Sequence, residues 1–176
     1  TGLSDSAAVY VGSATLVRFV PAANYNGTPG SLTVRLIESS DSAAPADGGT
    51  YDVSVNGGAT SISSGTVALG TSISAVNDAP VATGSATLAA VAEDVTAPAG
   101  STVSSLFGPN FSDSADGVTG GSSAHSLKGV AIVGNTATAA QGKWQWSTDG
   151  SAWTDIAMTG LSDSAAVYVG SATLVR

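Results

Sequence analysis

The 176 residues contain no cysteine, so no disulfide and no thiolate metal site is open to this chain, and one class of nucleophile is missing. Positive charge is scarce as well. Five Lys and Arg stand against 13 Asp and Glu, and the net charge of −8 repels a phosphate backbone and argues against nucleic-acid binding. Glu occurs only at Glu38 and Glu93, and Lys only at Lys128 and Lys143. Exposed helical turns are normally filled with those residues, so little helix is expected. No apolar run approaches the roughly 20 residues of a membrane-spanning helix, and no signal-peptide pattern opens the chain, so membrane insertion is not expected. Hydrophobic residues nevertheless make up 43%, too many for charge-driven disorder. The chain reads as a soluble, folded piece of something longer. A secreted fold without disulfides leans on a larger core or on bound metal ions, and the acidic residues make a metal the available staple.

Self-similarity organises the rest. Residues 1–18 (TGLSDSAAVYVGSATLVR) recur unchanged as residues 159–176, at an offset of 158. Chance does not preserve such a stretch, so a parent sequence is expected to repeat a unit of that length in tandem, of which this chain is one period plus an overlap. Identical copies point to recent duplication of a module that works by number, as extended arrays do. Val76-Asn77-Asp78-Ala79-Pro80 reads as a junction, because Pro80 cannot donate a ladder hydrogen bond and holds Ala79 extended. Residues 1–79 are then the closing half of one module, and residues 80–176 the opening half of the next.

Between Gly, Asn and Asp punctuation the runs are short and rich in Val, Ile, Thr, Trp and Tyr, with alternation rather than a helical period. Strands are predicted near 14–20, 31–38, 50–55, 60–63, 66–76, 86–91, 101–107, 126–133, 143–147, 152–156, 165–169 and 172–175. The fold class expected is all-β, an antiparallel sandwich. Asp149-Gly150 and Asn56-Gly57 supply residues that turn with positive φ.

The run Trp144-Gln145-Trp146-Ser147-Thr148-Asp149-Gly150, with Trp153 beyond it, resembles the tryptophan hairpin of cadherin-like and Ig-like tandem repeats in giant bacterial surface adhesins of the RTX type. Val17-Arg18-Phe19-Val20-Pro21, Asn24-Tyr25-Asn26-Gly27 and Ala75-Val76-Asn77-Asp78-Ala79-Pro80 match as well. So do the acidic pair Glu93-Asp94 and the cluster Phe111-Ser112-Asp113-Ser114-Ala115-Asp116. The resemblance implies an extracellular β-sandwich extender that lines up end to end, with calcium at the joints. The sequence departs from the pattern at Ala75, where an acid is expected.

Calcium takes about six to eight oxygen ligands, which short acidic loops supply. Asn77, Asp78, Glu93, Asp94, Asp113 and Asp116 are the candidate set, and the competing reading is solvated turn residues. Trp144 and Trp146 share a face on a strand, with Trp153 across the hairpin. Packing is the favoured role for these rings, and a carbohydrate platform that also uses Tyr25 is the alternative. His125, the only histidine, lies in a Ser- and Gly-rich segment without a Gly-x-Ser-x-Gly elbow and reads as an exposed loop residue. Glu38 and Glu93 have no apolar surroundings to raise one pKa, so no glycosidase pair is expected and no catalytic residue is assigned.

A half-sandwich exposes an apolar face and open strand edges. The expectation is that residues 80–176 complete their sandwich with residues 19–79 of another copy, one of the duplicated strands being displaced, and the rival is two small separate sandwiches. The partners expected are therefore neighbouring identical repeats or other copies of the same chain. The function expected is a structural extender of a secreted or cell-surface bacterial protein, with a self-assembling filament and a carbohydrate-binding module as alternatives.

Overall fold

Backbone pairing in this chain is local, and among the described residues every strand pair is antiparallel, as expected where Gly-rich turns follow one another closely. The computed structural model describes residues 2–176; Thr1, the first letter of the duplicated stretch, lies outside them. Two units divide the chain, one running to Val76 and including Val118–Ser122, the other comprising Asn77–Gly117 and Ser123–Arg176.

The first unit holds β1 (Ala8–Val9), β2 (Leu32–Val34), β3 (Thr50–Tyr51) and β4 (Val67–Leu69). β1 pairs with β3 and β2 with β4, Leu32 standing opposite Leu69 and Val34 opposite Val67. Isolated bridges join Gly27 to Ile73 and Ile37 to Ile62. The apolar centre is thin: Val53 and Ile62 are buried, and Tyr10 meets Tyr51 edge to face at 6.4 Å. Polar clamps supplement it. Arg35 grips Asp5 with two guanidinium nitrogens at 2.8 and 3.1 Å and donates to the carbonyls of Ser63 and Ser64. Asn26 is buried and bridges to the 118–122 segment, accepting from the Ser122 amide at 2.6 Å and donating to its hydroxyl at 2.8 Å. Gly121 packs so closely on Asn26 that a Cβ there would collide with the Asn26 backbone.

The second unit holds β5 (Val81–Ala82), β6 (Ser101–Thr102), α1 (Val103–Phe107), β7 (Phe111–Ser112), β8 (Gly129–Ile132), β9 (Gln145–Ser147), β10 (Thr154–Asp155), β11 (Val167–Gly170) and β12 (Leu174–Val175). Its four-stranded sheet runs β10-β9-β12-β6, while β11 pairs with β8 and β5 with β7. Val103 is fully buried, and Val169 and Val175 pack against it, surrounded by Leu106, Phe107, Leu127, Val130, Ile132 and Trp146. This is the larger of the two cores.

Among the described residues the fold is β-built with one five-residue α-helix, as the composition led us to expect. That helix replaces the second part of the strand predicted over 101–107. The Thr102 hydroxyl caps it by accepting from the Ser105 amide, and Gly108-Pro109 ends it in a 3-10 turn. The strand predicted over 86–91 does not form; this stretch is rich in Ala, a poor strand former, and lines a cavity instead. The strand predicted over 14–20 is also absent. Its duplicate does form β12, between β6 and β9 of the second unit. Conversely β1, β5 and β7 were not foreseen, each being only two residues long.

Candidate functional site

The duplicated stretch offers the same sequence in two settings. Its local turns are the same in both: Ser4 bridges Ala7 as Ser162 bridges Ala165, and Thr15 donates to the Gly12 carbonyl as Thr173 donates to that of Gly170, both at 3.0 Å. The strand between those turns is partnered differently. In the first unit Ala8 faces Tyr51, and Tyr10 exchanges hydrogen bonds with Gly48 and Gly49. In the second unit Val167 to Gly170 face Ile132 to Gly129, and Ser171 donates to Lys128. Burial follows pairing. Val11 is 45% exposed and its counterpart Val169 2%, while Val17 is 53% exposed and Val175 8%. Leu16 is almost fully exposed, and its counterpart Leu174 lies between Thr102 and Ser147.

Of the six candidate metal ligands, the second unit gathers some and leaves others apart. Asp113 and Asp116 are buried, whereas Glu93 and Asp94 are exposed. Asp94 sits in a turn with φ of 66°. The Asp78 amide donates to Asp116 Oδ1 at 2.9 Å, so the junction is tied to this cluster through its backbone, and Asn77 donates to the Asp78 carbonyl. The third side chain is one that sequence reasoning set aside. His125 has an exposed ring, as expected, yet its Nδ1 lies 3.3 Å from Asp113 Oδ2 and 3.7 Å from Asp116 Oδ2, and its amide donates to Asp113 Oδ2. Asp113, Asp116 and His125 each offer a ligand atom within 4.8 Å of the others, and among the described residues they form the group able to hold a metal ion. Two carboxylates suit calcium, but an imidazole third ligand suits zinc or another borderline divalent ion better. The one sequence signal for His125 was its place nine residues after Asp116 in a loop short enough to return.

The three tryptophans occupy three environments. Trp146 packs against the core, Trp153 carries the Arg176 guanidinium over its ring at 3.9 Å, and Trp144 is 44% exposed. Trp144 borders an open groove of about 730 Å³ whose other lining residues include Leu88, Val91, Val95, Pro98 and Arg176. The groove is predominantly apolar. Tyr25, the fourth ring of the carbohydrate alternative, belongs to the first unit.

Comparison with known proteins gives no relative: no family model, no curated protein and no solved structure matches the chain.

Proposed function

We propose that this chain is a structural extender repeat of a large secreted or cell-surface bacterial adhesin, built from antiparallel β-sandwich modules set end to end, and that it projects or assembles rather than catalyses. The observation that carries this reading is the stretch repeated unchanged after 158 residues, because selection for a tandem array keeps copies where selection for a catalytic site needs one. Short antiparallel strands and a low charge content support it. The resemblance of the tryptophan hairpin and the Asn77-Asp78-Ala79-Pro80 junction to cadherin-like repeats supports it further.

The test is a series of covalent arrays carrying one to four periods, measured by small-angle scattering. The expected result is a maximum dimension that grows by a constant increment per period. Growth as the cube root of mass, the behaviour of a compact particle, overturns the reading. A divalent cation on Asp113 and Asp116 would stiffen each module, and melting with calcium, zinc or chelator tests that part separately.

A further inference from the structure

Consecutive residues of an extended strand turn their N–H and C=O groups to opposite edges. In the first unit it is Tyr10 that exchanges hydrogen bonds with Gly48 and Gly49. In the second unit it is Ser171, the counterpart of Ser13, that donates to Lys128, in the register that sets Val169 opposite Val130. Positions 10 and 13 are an odd number of residues apart. The two units therefore use opposite edges of one and the same strand, and neither partner set blocks the other. Among the described residues β1 has no strand but β3 beside it, and β11 none but β8.

We infer that the interaction partner of this segment is a second copy of the chain: residues 8–20 of one chain enter the second unit of another, replacing its residues 166–176, while keeping their own pairing to Thr50–Tyr51. The incoming strand can form every contact the resident one forms, because the two are identical in sequence. Leu16 and Val17, exposed in their own unit, then take the places of Leu174 and Val175, and Val11 takes that of Val169. The result is a continuous ladder of β3, the shared strand and β8, drawn from two chains. Repetition of the exchange makes a head-to-tail fibre.

The resident strand competes with the advantage of being tethered, an effective concentration on the order of 1 mM. Incoming and resident strands form the same contacts, so half-exchange falls near that concentration, on the order of 1 mM. The inference goes beyond the extender reading and does not depend on it, since a covalent array reaches its length without exchange.

The absence of cysteine makes a direct test available. Full-length chains carrying Val17→Cys are mixed with full-length chains carrying Ser101→Cys, because Val175 stands opposite Ser101. Mild oxidation at about 1 mM is expected to yield a mixed disulfide dimer, in excess of that formed between Val17→Cys and Ser112→Cys, the latter exposed and on β7, outside the sheet that β12 joins. Adding Val11→Asp to the first chain places a carboxylate where it is tolerated at home but would be buried after exchange. The mixed dimer is expected to fall more than about tenfold, with the circular dichroism spectrum unchanged. Equal yields at positions 101 and 112, or a yield indifferent to Val11→Asp, overturn the inference.

Discussion

Identical sequence in two environments permits a comparison in which residue type and local context cancel. Val11→Ala and Val169→Ala remove the same two methyl groups from the same eighteen-residue stretch, yet Val169 is 2% exposed against Val103 and Val175, and Val11 is 45% exposed. At about 0.8 kcal/mol per buried carbon the transfer loss at Val169 is about 1.6 kcal/mol. An incompletely relaxed cavity raises this to roughly 2 kcal/mol or slightly more. At Val11 the loss stays within about 0.5 kcal/mol, as for other surface substitutions. The assay is urea unfolding followed by tryptophan fluorescence, since Trp144, Trp146 and Trp153 all lie in the second unit. With a urea m value of about 1–2 kcal/mol per molar, Val169→Ala is expected to lower the midpoint by about 1–2 M and Val11→Ala to leave it in place. The measurement is made near 1 µM, well below the range in which strand exchange is expected. Equal shifts for the two substitutions, or none for Val169→Ala, refute the assignment of the duplicated strand to the core of the second unit.

Three further outcomes follow from the polar clamps. Asn26→Ala removes both hydrogen bonds to Ser122, and the amides of the 118–122 segment are expected to lose hydrogen-exchange protection while those of β2 and β4 keep theirs. Asp113→Ala strips the His125 amide of its acceptor and is expected to lower stability of the second unit by about 1–3 kcal/mol in the same fluorescence titration. Asp41 accepts from Ser61, Tyr51 and the amides of Ala43 and Ala44, which hold its carboxyl below the ordinary 3.8. The stability it gives the first unit is complete above that ordinary value and is lost as pH falls through the lowered one. Circular dichroism melts should show this acid-induced drop in wild type and a flatter profile in Asp41→Asn.

Local chemistry was legible in the sequence, and pairing was not. Gly57 and Gly150 do turn with φ of 72° and 74°, and Asp149 stabilises its loop by accepting from the amides of Ser151 and Ala152, as Asp-Gly pairs suggest. The all-β class was readable from the shortage of helix formers. By contrast, strands of two to four residues carry too little periodicity to be placed alone. The helix over Val103–Phe107 was hidden because its signals, the Thr102 cap and the Gly108-Pro109 stop, lie outside an apolar stretch that also suits a strand. Among the candidate ligands, the proximity of Asp113 and Asp116 follows from their spacing, but the return of His125 depends on the path of the intervening loop, on which composition is silent.

The duplicated stretch separates these two kinds of information within one molecule. Its turns, closed by hydrogen bonds across three residues, form identically at both ends of the chain, so they are properties of the eighteen letters. Its strands bury Val169 and Val175 in one place and leave Val11 and Val17 open in the other, so they are properties of what lies alongside. A segment with fixed corners and two usable edges has few conformational degrees of freedom left to lose when a partner arrives, which lowers the entropic cost of association. Leu16 and Val17, exposed at home, become buried, and the displaced Leu174 and Val175 offset that burial. The first copy is therefore a segment partnered along one edge, by Thr50–Tyr51, and the β8 sequence that would complete its other edge is carried by every other copy of the same chain.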